Sequence, residues 1–287
     1  MCDSFLETPI PPWLLVLEHD IDVAGFRRCS QISLTVALFP SRVLFGTNGR
    51  ATNPSDLVLP RRAVNDTCGA AIVSTNIATD AAVARGWRTI YVPDIDELSS
   101  NERQRRAHLV KVLAVHLFPQ AKNIVYGDVK CHTLDGTFPT ATFERLTASS
   151  TCALHTLIHP VRFMSSLRAE FTATEFHAKE RHEKPDVFSD IARLAALYGP
   201  TALDQLVPMT DTMCMYFAGT LFVREFACRW ARYVLHYSMR EQLSFNVALR
   251  ESRLAAQNCT CAHPAEECVA KDGTAFQSID VLLATTP

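Results

Sequence analysis

No stretch of this sequence approaches the roughly 18 consecutive apolar residues that a membrane-spanning helix requires. The longest early apolar stretch, residues 13–17, follows an acidic, proline-rich start and not the positively charged opening of a signal peptide. We therefore expect no membrane span in this chain.

The sequence also lacks an excess of charge of either sign. Its 28 Lys and Arg residues are balanced by 30 Asp and Glu residues, which leaves a formal net charge of −2. Because nucleic-acid-binding domains usually carry a strong positive field, we expect no nucleic-acid partner.

Several catalytic signatures are missing as well. The sequence contains no Gly-x-Ser-x-Gly nucleophile elbow, no P-loop, no Gly-x-Gly-x-x-Gly fingerprint and no His-Glu-x-x-His zinc helix. These absences disfavour serine hydrolases, P-loop nucleotidases and the common dinucleotide-dependent enzymes.

Cysteine, in contrast, is abundant, with ten residues in the chain. An even number of cysteines, together with Asn-x-Thr triplets at Asn65 and Asn258, favours disulfides and a secretory compartment. The pairing cannot be read from the sequence. Cys259, Cys261 and Cys268 lie in the tail with His263, but their spacing is not that of a standard zinc finger, so disulfides or free thiols are favoured there.

Alternating strand and helix patterns indicate an α/β fold. The apolar and periodic segments predict strands at 32–39, 69–74, 87–92, 124–126 and 213–223, and helices at 79–85, 101–117, 160–176, 187–198 and 227–249. Ser99 followed by Glu102 predicts a capping box at the start of the second of these helices.

The expected organisation is a proline-broken lead-in over 1–30, one domain over 31–254 and a Cys-rich polar tail over 255–287. The expected fold is a mixed, mostly parallel sheet with helices on both faces.

Asp128 is the first candidate for chemistry. It follows the strand predicted at 124–126, and open α/β sheets bind ligands at the carboxyl ends of their strands. A carboxylate there suits a divalent cation on a diphosphate, and Lys130 could meet a phosphate directly. On spacing alone, a strand-end Asp that stabilises a turn is the favoured interpretation.

Three other segments carry groups that suit catalysis or binding. The basic helix with His108 and Lys111 could face a diphosphate or could be a solvated surface. Glu241 could bind a sugar hydroxyl or act as a base, or could lie exposed beside a buried stripe. His155 and His159 have the i, i+4 spacing of a metal pair, but the following Pro160 disfavours a helix there.

Taken in order, the motifs resemble one family. It is the glycosyltransferase-like family formerly classed as a domain of unknown function, with plant members linked to seed mucilage and turgor regulation. The similar segments, over about 32–250, are Phe45-Gly46, Lys111 to Ala114, Leu117-Phe118-Pro119, Tyr126 to Lys130, His159 with Arg162, Arg224-Glu225 with Trp230, and Arg240 to Phe245.

The resemblance implies a GT-A-like, Rossmann-type fold and transfer of a sugar from a nucleotide-sugar donor, foremost a UDP-sugar, to a glycan or other acceptor. It implies a manganese or magnesium ion at Asp128 and a place in the Golgi lumen or secretory pathway, while a cytoplasmic location stays open. It also implies catalytic roles for Asp128 and Glu241. The residues expected to bind substrate are Lys111, Lys130, His159, Arg162, Arg240 and Gln242.

Two departures keep other functions open. The family's Gly-Tyr-Asp after Phe-Gly is Thr47-Asn48-Gly49 here, and Glu241 stands where the family has Asp. The extra methylene moves the carboxylate by about 1.5 Å. A catalytically inactive binding module is therefore one alternative, and a ceramidase-type hydrolase is another because one family member has been linked to ceramide cleavage.

Overall fold

The protein is described from a computed structural model. The described residues are 10–38, 44–45, 51–52, 59–62, 68–129, 131, 136–148, 153–158, 164–180, 185–204, 206–208, 210–237, 241–252, 260–263 and 281–282.

The bounds of the regular elements are as follows. The helices are α1 (Pro12–Val23), α2 (Asn76–Val83), α3 (Ser100–Val112), α4 (Ala114–Leu117), α5 (Thr140–Ala148), α6 (Leu167–Glu180), α7 (Pro185–Tyr198), α8 (Pro200–Asp204), α9 (Leu221–His236) and α10 (Glu241–Glu251). The strands are β1 (Gln31–Ala37), β2 (Leu44–Phe45), β3 (Ala51–Thr52), β4 (Gly69–Val73), β5 (Arg88–Tyr91), β6 (Asn123–Gly127), β7 (Leu154–Ile158), β8 (Met164–Ser166), β9 (Leu206–Pro208), β10 (Thr210–Ala218), β11 (Thr260–His263) and β12 (Val281–Leu282).

One large sheet runs through the molecule in the order β12-β11-β7-β10-β6-β1-β4-β5. The neighbours β5, β4, β1 and β6 run parallel, and β11 runs parallel to β7. β10 is inserted antiparallel between β6 and β7, and β12 is antiparallel to β11. The predicted α/β class, with a mixed and mostly parallel sheet flanked by helices in a single domain, is confirmed.

Both faces of the sheet are covered, as expected for parallel strands. In β4, Ala70 and Ile72 face a large apolar core under α1, α3, α9 and α10, whereas Ala71 and Val73 face a smaller core. The smaller core includes Ala78 of α2. β6 lies inside this sheet, between β10 and β1. The residues that follow β6 are therefore flanked by a strand on each side.

The prolines near the start do not prevent regular structure, contrary to our expectation. Helix α1 begins at Pro12, and proline is well tolerated in a first helical turn, where its missing N–H would have no partner. Leu14, Leu17 and Ile21 are buried in the large core. The predicted divisions into lead-in, domain and tail stay predictions.

Three predicted boundaries are wrong in the second half of the chain. The helix predicted at 227–249 is two helices, α9 and α10. The strand predicted at 213–223 is β10, which ends at Ala218, and Thr220 accepts a hydrogen bond from the Val223 N–H to begin α9. The segment predicted as a helix at 160–176 contains β8 before α6 begins. Short apolar runs suit strands and helices alike, which explains these errors.

In the first half, the helix predicted at 101–117 divides at Leu113 into α3 and α4. The predicted capping box is confirmed: the Ser99 hydroxyl accepts a hydrogen bond from the Glu102 N–H, and Glu102 accepts one from the Ser99 N–H at 2.9 Å. Among the described helices, none is both long and apolar enough to cross a membrane.

Disulfides form, as the cysteine content predicted. Cys29 is bonded to Cys68, which joins the segment before β1 to the start of β4. Cys131 is bonded to Cys214, which joins the segment after β6 to β10.

We expect Ser99→Ala to lower the free energy of unfolding by about 1 kcal/mol, because α3 loses its N-terminal hydrogen bond. Chemical denaturation followed by circular dichroism measures the change. Exposed Glu97, two residues earlier, supplies the control. If Glu97→Ala costs as much as Ser99→Ala, the cap does not stabilise α3.

Candidate functional site

A buried ion pair joins α3 to α10 next to the carboxyl end of β6. The Lys111 side chain, in the last turn of α3, is fully buried, and its Nζ lies 2.7 Å from Oε1 of Glu241, the first residue of α10. Lys111 also donates to the Thr212 carbonyl at 3.0 Å. The Thr212 hydroxyl donates to the same Glu241 oxygen at 3.0 Å. Three distant segments of the chain therefore meet at one carboxylate.

His108 contacts the other oxygen of that carboxylate. It lies one turn before Lys111 on the same face of α3, and its Nδ1 is 2.9 Å from Glu241 Oε2. The Glu241 and His108 side chains keep 9% and 14% of their surface exposed, while Lys111 keeps none. The cluster therefore has a closed side at Lys111 and a slightly open side at His108.

Electrostatic contacts decide the ionisation of Glu241. Burial alone would raise its pKa, but the charges and hydrogen bonds of His108 and Lys111 outweigh burial and hold the pKa well below its usual value. Glu241 is therefore an anion at neutral pH.

Tyr126 connects this pair to Asp128. Lys111 Nζ lies 5.2 Å from the centre of the Tyr126 ring, and the Tyr126 hydroxyl donates a hydrogen bond to Asp128 Oδ1. Burial, then the nearby Asp128 and Glu241 carboxylates, raise the pKa of Tyr126 well above its usual value. Tyr126 therefore stays a neutral hydrogen-bond donor.

The backbone fixes Asp128 in turn. Its N–H donates to the Met213 carbonyl at 2.8 Å, which extends the pairing of β6 with β10 by one residue. Its own carbonyl accepts from the Cys131 N–H at 2.8 Å. The Asp128 side chain itself is only partly buried, so it borders the solvent at this edge of the sheet.

Trp230 fixes the start of α10. Its indole N–H lies 2.9 Å from the Glu241 carbonyl and 3.1 Å from the Ser244 hydroxyl. Its ring packs against Phe226 and Phe245. These contacts hold the first turn of α10 against α9.

The structure brings together four residues that the sequence singled out: His108, Lys111, Asp128 and Glu241. Gln242 is partly buried on α10. Four further candidates lie outside the described residues, and their roles stay predictions: Lys130, His159, Arg162 and Arg240.

Other cations of the basic helix contact different groups. Arg106 lies over the Trp13 ring at 5.1 Å, and Arg105 lies 3.8 Å from Asp190. Among the contacts that the described part of the chain shows for this helix, those with Glu241 come from His108 and Lys111.

Two participants had no predicted role, Thr212 and Tyr126, although Tyr126 begins one of the family-like segments. A tyrosine two residues before an aspartate at a strand end places both side chains on one face, and this signal could have identified Tyr126. Thr212 has no local signal, since its place depends on the long-range pairing of β10 with β6.

The described residues do not by themselves form a site that would hold a metal ion. Within them, no group of three or more His, Cys, Asp or Glu side chains comes together as a ligand set. Asp128 fits a cation only as a single carboxylate beside ligands from a diphosphate and water, as Mg²⁺ often binds.

Comparison with protein-family models and with curated proteins gives no match. Among solved structures, the chain is similar to apo mouse xyloside xylosyltransferase 1, with 9% sequence identity and a TM-score of 0.38. The similarity covers 78% of this chain and 82% of that chain.

We expect Lys111→Met to lower the free energy of unfolding by about 3–5 kcal/mol, because it leaves the Glu241 carboxylate buried without its cation. Chemical denaturation measures this. The double variant Lys111→Met/Glu241→Gln should recover part of the loss, since no unpaired buried charge remains. A purely additive double variant would contradict the pairing.

We also expect the stability provided by Glu241 to depend on pH. Its pKa is lower in the folded than in the unfolded state, so the stabilisation is present above about pH 4.3 and is lost as the pH falls through the folded-state pKa. Urea unfolding of the wild type and Glu241→Gln should give free energies that converge as the pH falls below about 4. A difference that is constant over this range would contradict the assignment.

Proposed function

We propose that this protein transfers a sugar from a nucleotide-sugar donor, foremost a UDP-sugar, to a glycan or other acceptor. The bond from the anomeric carbon to the diphosphate oxygen breaks and a bond to the acceptor oxygen forms. UDP leaves with the bonding electron pair, and the proton of the acceptor hydroxyl is released to solvent. The supporting observation is the partly exposed Asp128, held at the carboxyl end of β6 beside the buried Lys111–Glu241 pair.

The position of Asp128 suits donor binding. It follows β6, which pairs with β1 on the side opposite to β4 and β5, so the strand order reverses between β1 and β6. Ligands of open α/β sheets bind at carboxyl ends of strands, at such changes of topology. Asp128, with its carboxylate oriented by Tyr126, is proposed to bind the donor's ribose or diphosphate end.

A divalent cation, when bound with the donor, would neutralise charge on the departing diphosphate. Asp128 is the described residue that would contact it. Lys130 is proposed to contact the phosphates, and His159 with Arg162 to line the donor pocket.

Of the two roles considered for Glu241, acceptor binding and base catalysis, we propose acceptor binding. A carboxylate whose pKa lies well below its usual value is a weak general base at neutral pH. Its Oε2 lies against His108 on the slightly exposed side of the pair, and a carboxylate oxygen can accept more than one hydrogen bond. Lys111 then acts by fixing this carboxylate, while Arg240 and Gln242 are proposed to bind substrate beside it.

The disulfides support a secretory location, because such bonds persist in oxidising compartments. We propose the Golgi lumen or another part of the secretory pathway.

A binding module without catalysis is the second candidate. Lys111 and Glu241 neutralise each other, which leaves Asp128 as the carboxylate of this cluster that borders solvent. Such a protein would bind a glycan and would give no heat with nucleotide sugars.

We expect Asp128→Asn to weaken donor binding and turnover at least tenfold, because the oriented negative charge is lost. Calorimetry with a panel of UDP-sugars and Mn²⁺, and release of UDP with an acceptor, measure the two effects. Asp80→Asn, an exposed change on α2, is the control and should retain both. Unchanged binding and turnover in Asp128→Asn would refute the role of Asp128, and a wild type that gives no heat with any donor would refute the proposed transfer.

A further inference from the structure

The two described disulfides lie at opposite ends of the parallel strands. Cys29 and Cys68 come just before β1 and β4, at the amino ends of two parallel strands. Cys131 comes after β6 and is bonded to Cys214 of β10, at the edge where Asp128 lies. Only the second disulfide is therefore beside the candidate site.

The Cys131–Cys214 disulfide closes a small ring of contacts around Asp128. The Asp128 N–H donates a hydrogen bond to the carbonyl of Met213, which precedes Cys214 in the chain. The Asp128 carbonyl accepts from the Cys131 N–H. The turn that carries Asp128 is thus attached to β10 by a hydrogen bond at one end and by a covalent bond at the other.

The surroundings of the disulfide are tightly packed. Both cysteines are fully buried, in the smaller core with Phe138. A Cβ placed on Gly127 would lie 2.7 Å from a ring carbon of Phe138 and 3.3 Å from Cys131 Cβ. The glycine before Asp128 therefore lets the turn lie directly against the disulfide.

The same disulfide constrains the second half of the cluster. Cys214 lies two residues after Thr212, whose carbonyl and hydroxyl contact Lys111 and Glu241. A change in the position of β10 at Cys214 would therefore move both Asp128 and Thr212, the residue that hydrogen-bonds to the buried ion pair.

We infer that the Cys131–Cys214 disulfide is a positioning element of the candidate site, which fixes Asp128 relative to the Lys111–Glu241 pair. The expected effect of the disulfide on ligand binding rests on the proposed function. The expected effect of the disulfide on the turn at Asp128 does not. A displacement of a contacting group by about 1 Å can cost a hundredfold in rate, so the disulfide affects more than stability.

The test compares two double variants, Cys131→Ala/Cys214→Ala and the matched control Cys29→Ala/Cys68→Ala. Each removes one disulfide, so each should lower the melting temperature. Only the first should speed hydrogen exchange of the Asp128 amide, measured by NMR, and weaken calorimetric binding of UDP with Mn²⁺ at least tenfold. Equal exchange and equal UDP affinity in the two variants would overturn the inference.

The two proposals fail differently. If the wild type gives no heat with UDP and Mn²⁺, the proposed function fails, and the exchange of the Asp128 amide alone then decides the positioning role. If the Cys131→Ala/Cys214→Ala protein does not fold, Cys214→Ala alone breaks the same bond with a smaller change in volume. If the hydrogen-exchange rate of the Asp128 amide in that variant equals the rate in the wild type, the inference is overturned.

Discussion

The ion pair between Lys111 and Glu241 is the contact on which the arrangement of the site depends. Neither charge is stable in an apolar interior without a partner, so α3 and α10 must pack with these residues in register. Trp230 sets the start of α10 through the Glu241 carbonyl, and β10 supplies Thr212 to both members of the pair. One electrostatic requirement thus links two helices and a strand that are distant in sequence.

Local patterns predicted the elements whose causes are local. The capping box at Ser99 and the buried strand at β4 both follow from a few neighbouring side chains, and both are confirmed. The division between α9 and α10 depends instead on the tertiary contacts of Trp230, and the limits of β10 depend on pairing with β6 and β7. Periodicity of apolar residues contains neither kind of information, so those boundaries were wrong.

In the candidate site, too, the sequence predicted the charged residues but not the tertiary contacts between them. The sequence identified Lys111, Asp128 and Glu241 as charged groups of interest, and they do come together around Tyr126. It did not indicate that Lys111 and Glu241 bind each other, because a linear pattern shows charge but not burial. Contact between Lys111 and a diphosphate stays a prediction, while the geometry shows its Nζ already bonded to Glu241 and Thr212.

The presence of this buried pair is itself informative. Replacing a buried ion pair with well-packed apolar residues is often neutral or stabilising, so stability alone does not require Lys111 and Glu241. The pair does place a carboxylate that is ionised at neutral pH beside His108 at a slightly open edge, next to a neutral Tyr126 that orients Asp128. A rigid set of oriented charges needs little reorganisation when a polar ligand binds, which is what a site that handles a charged leaving group requires.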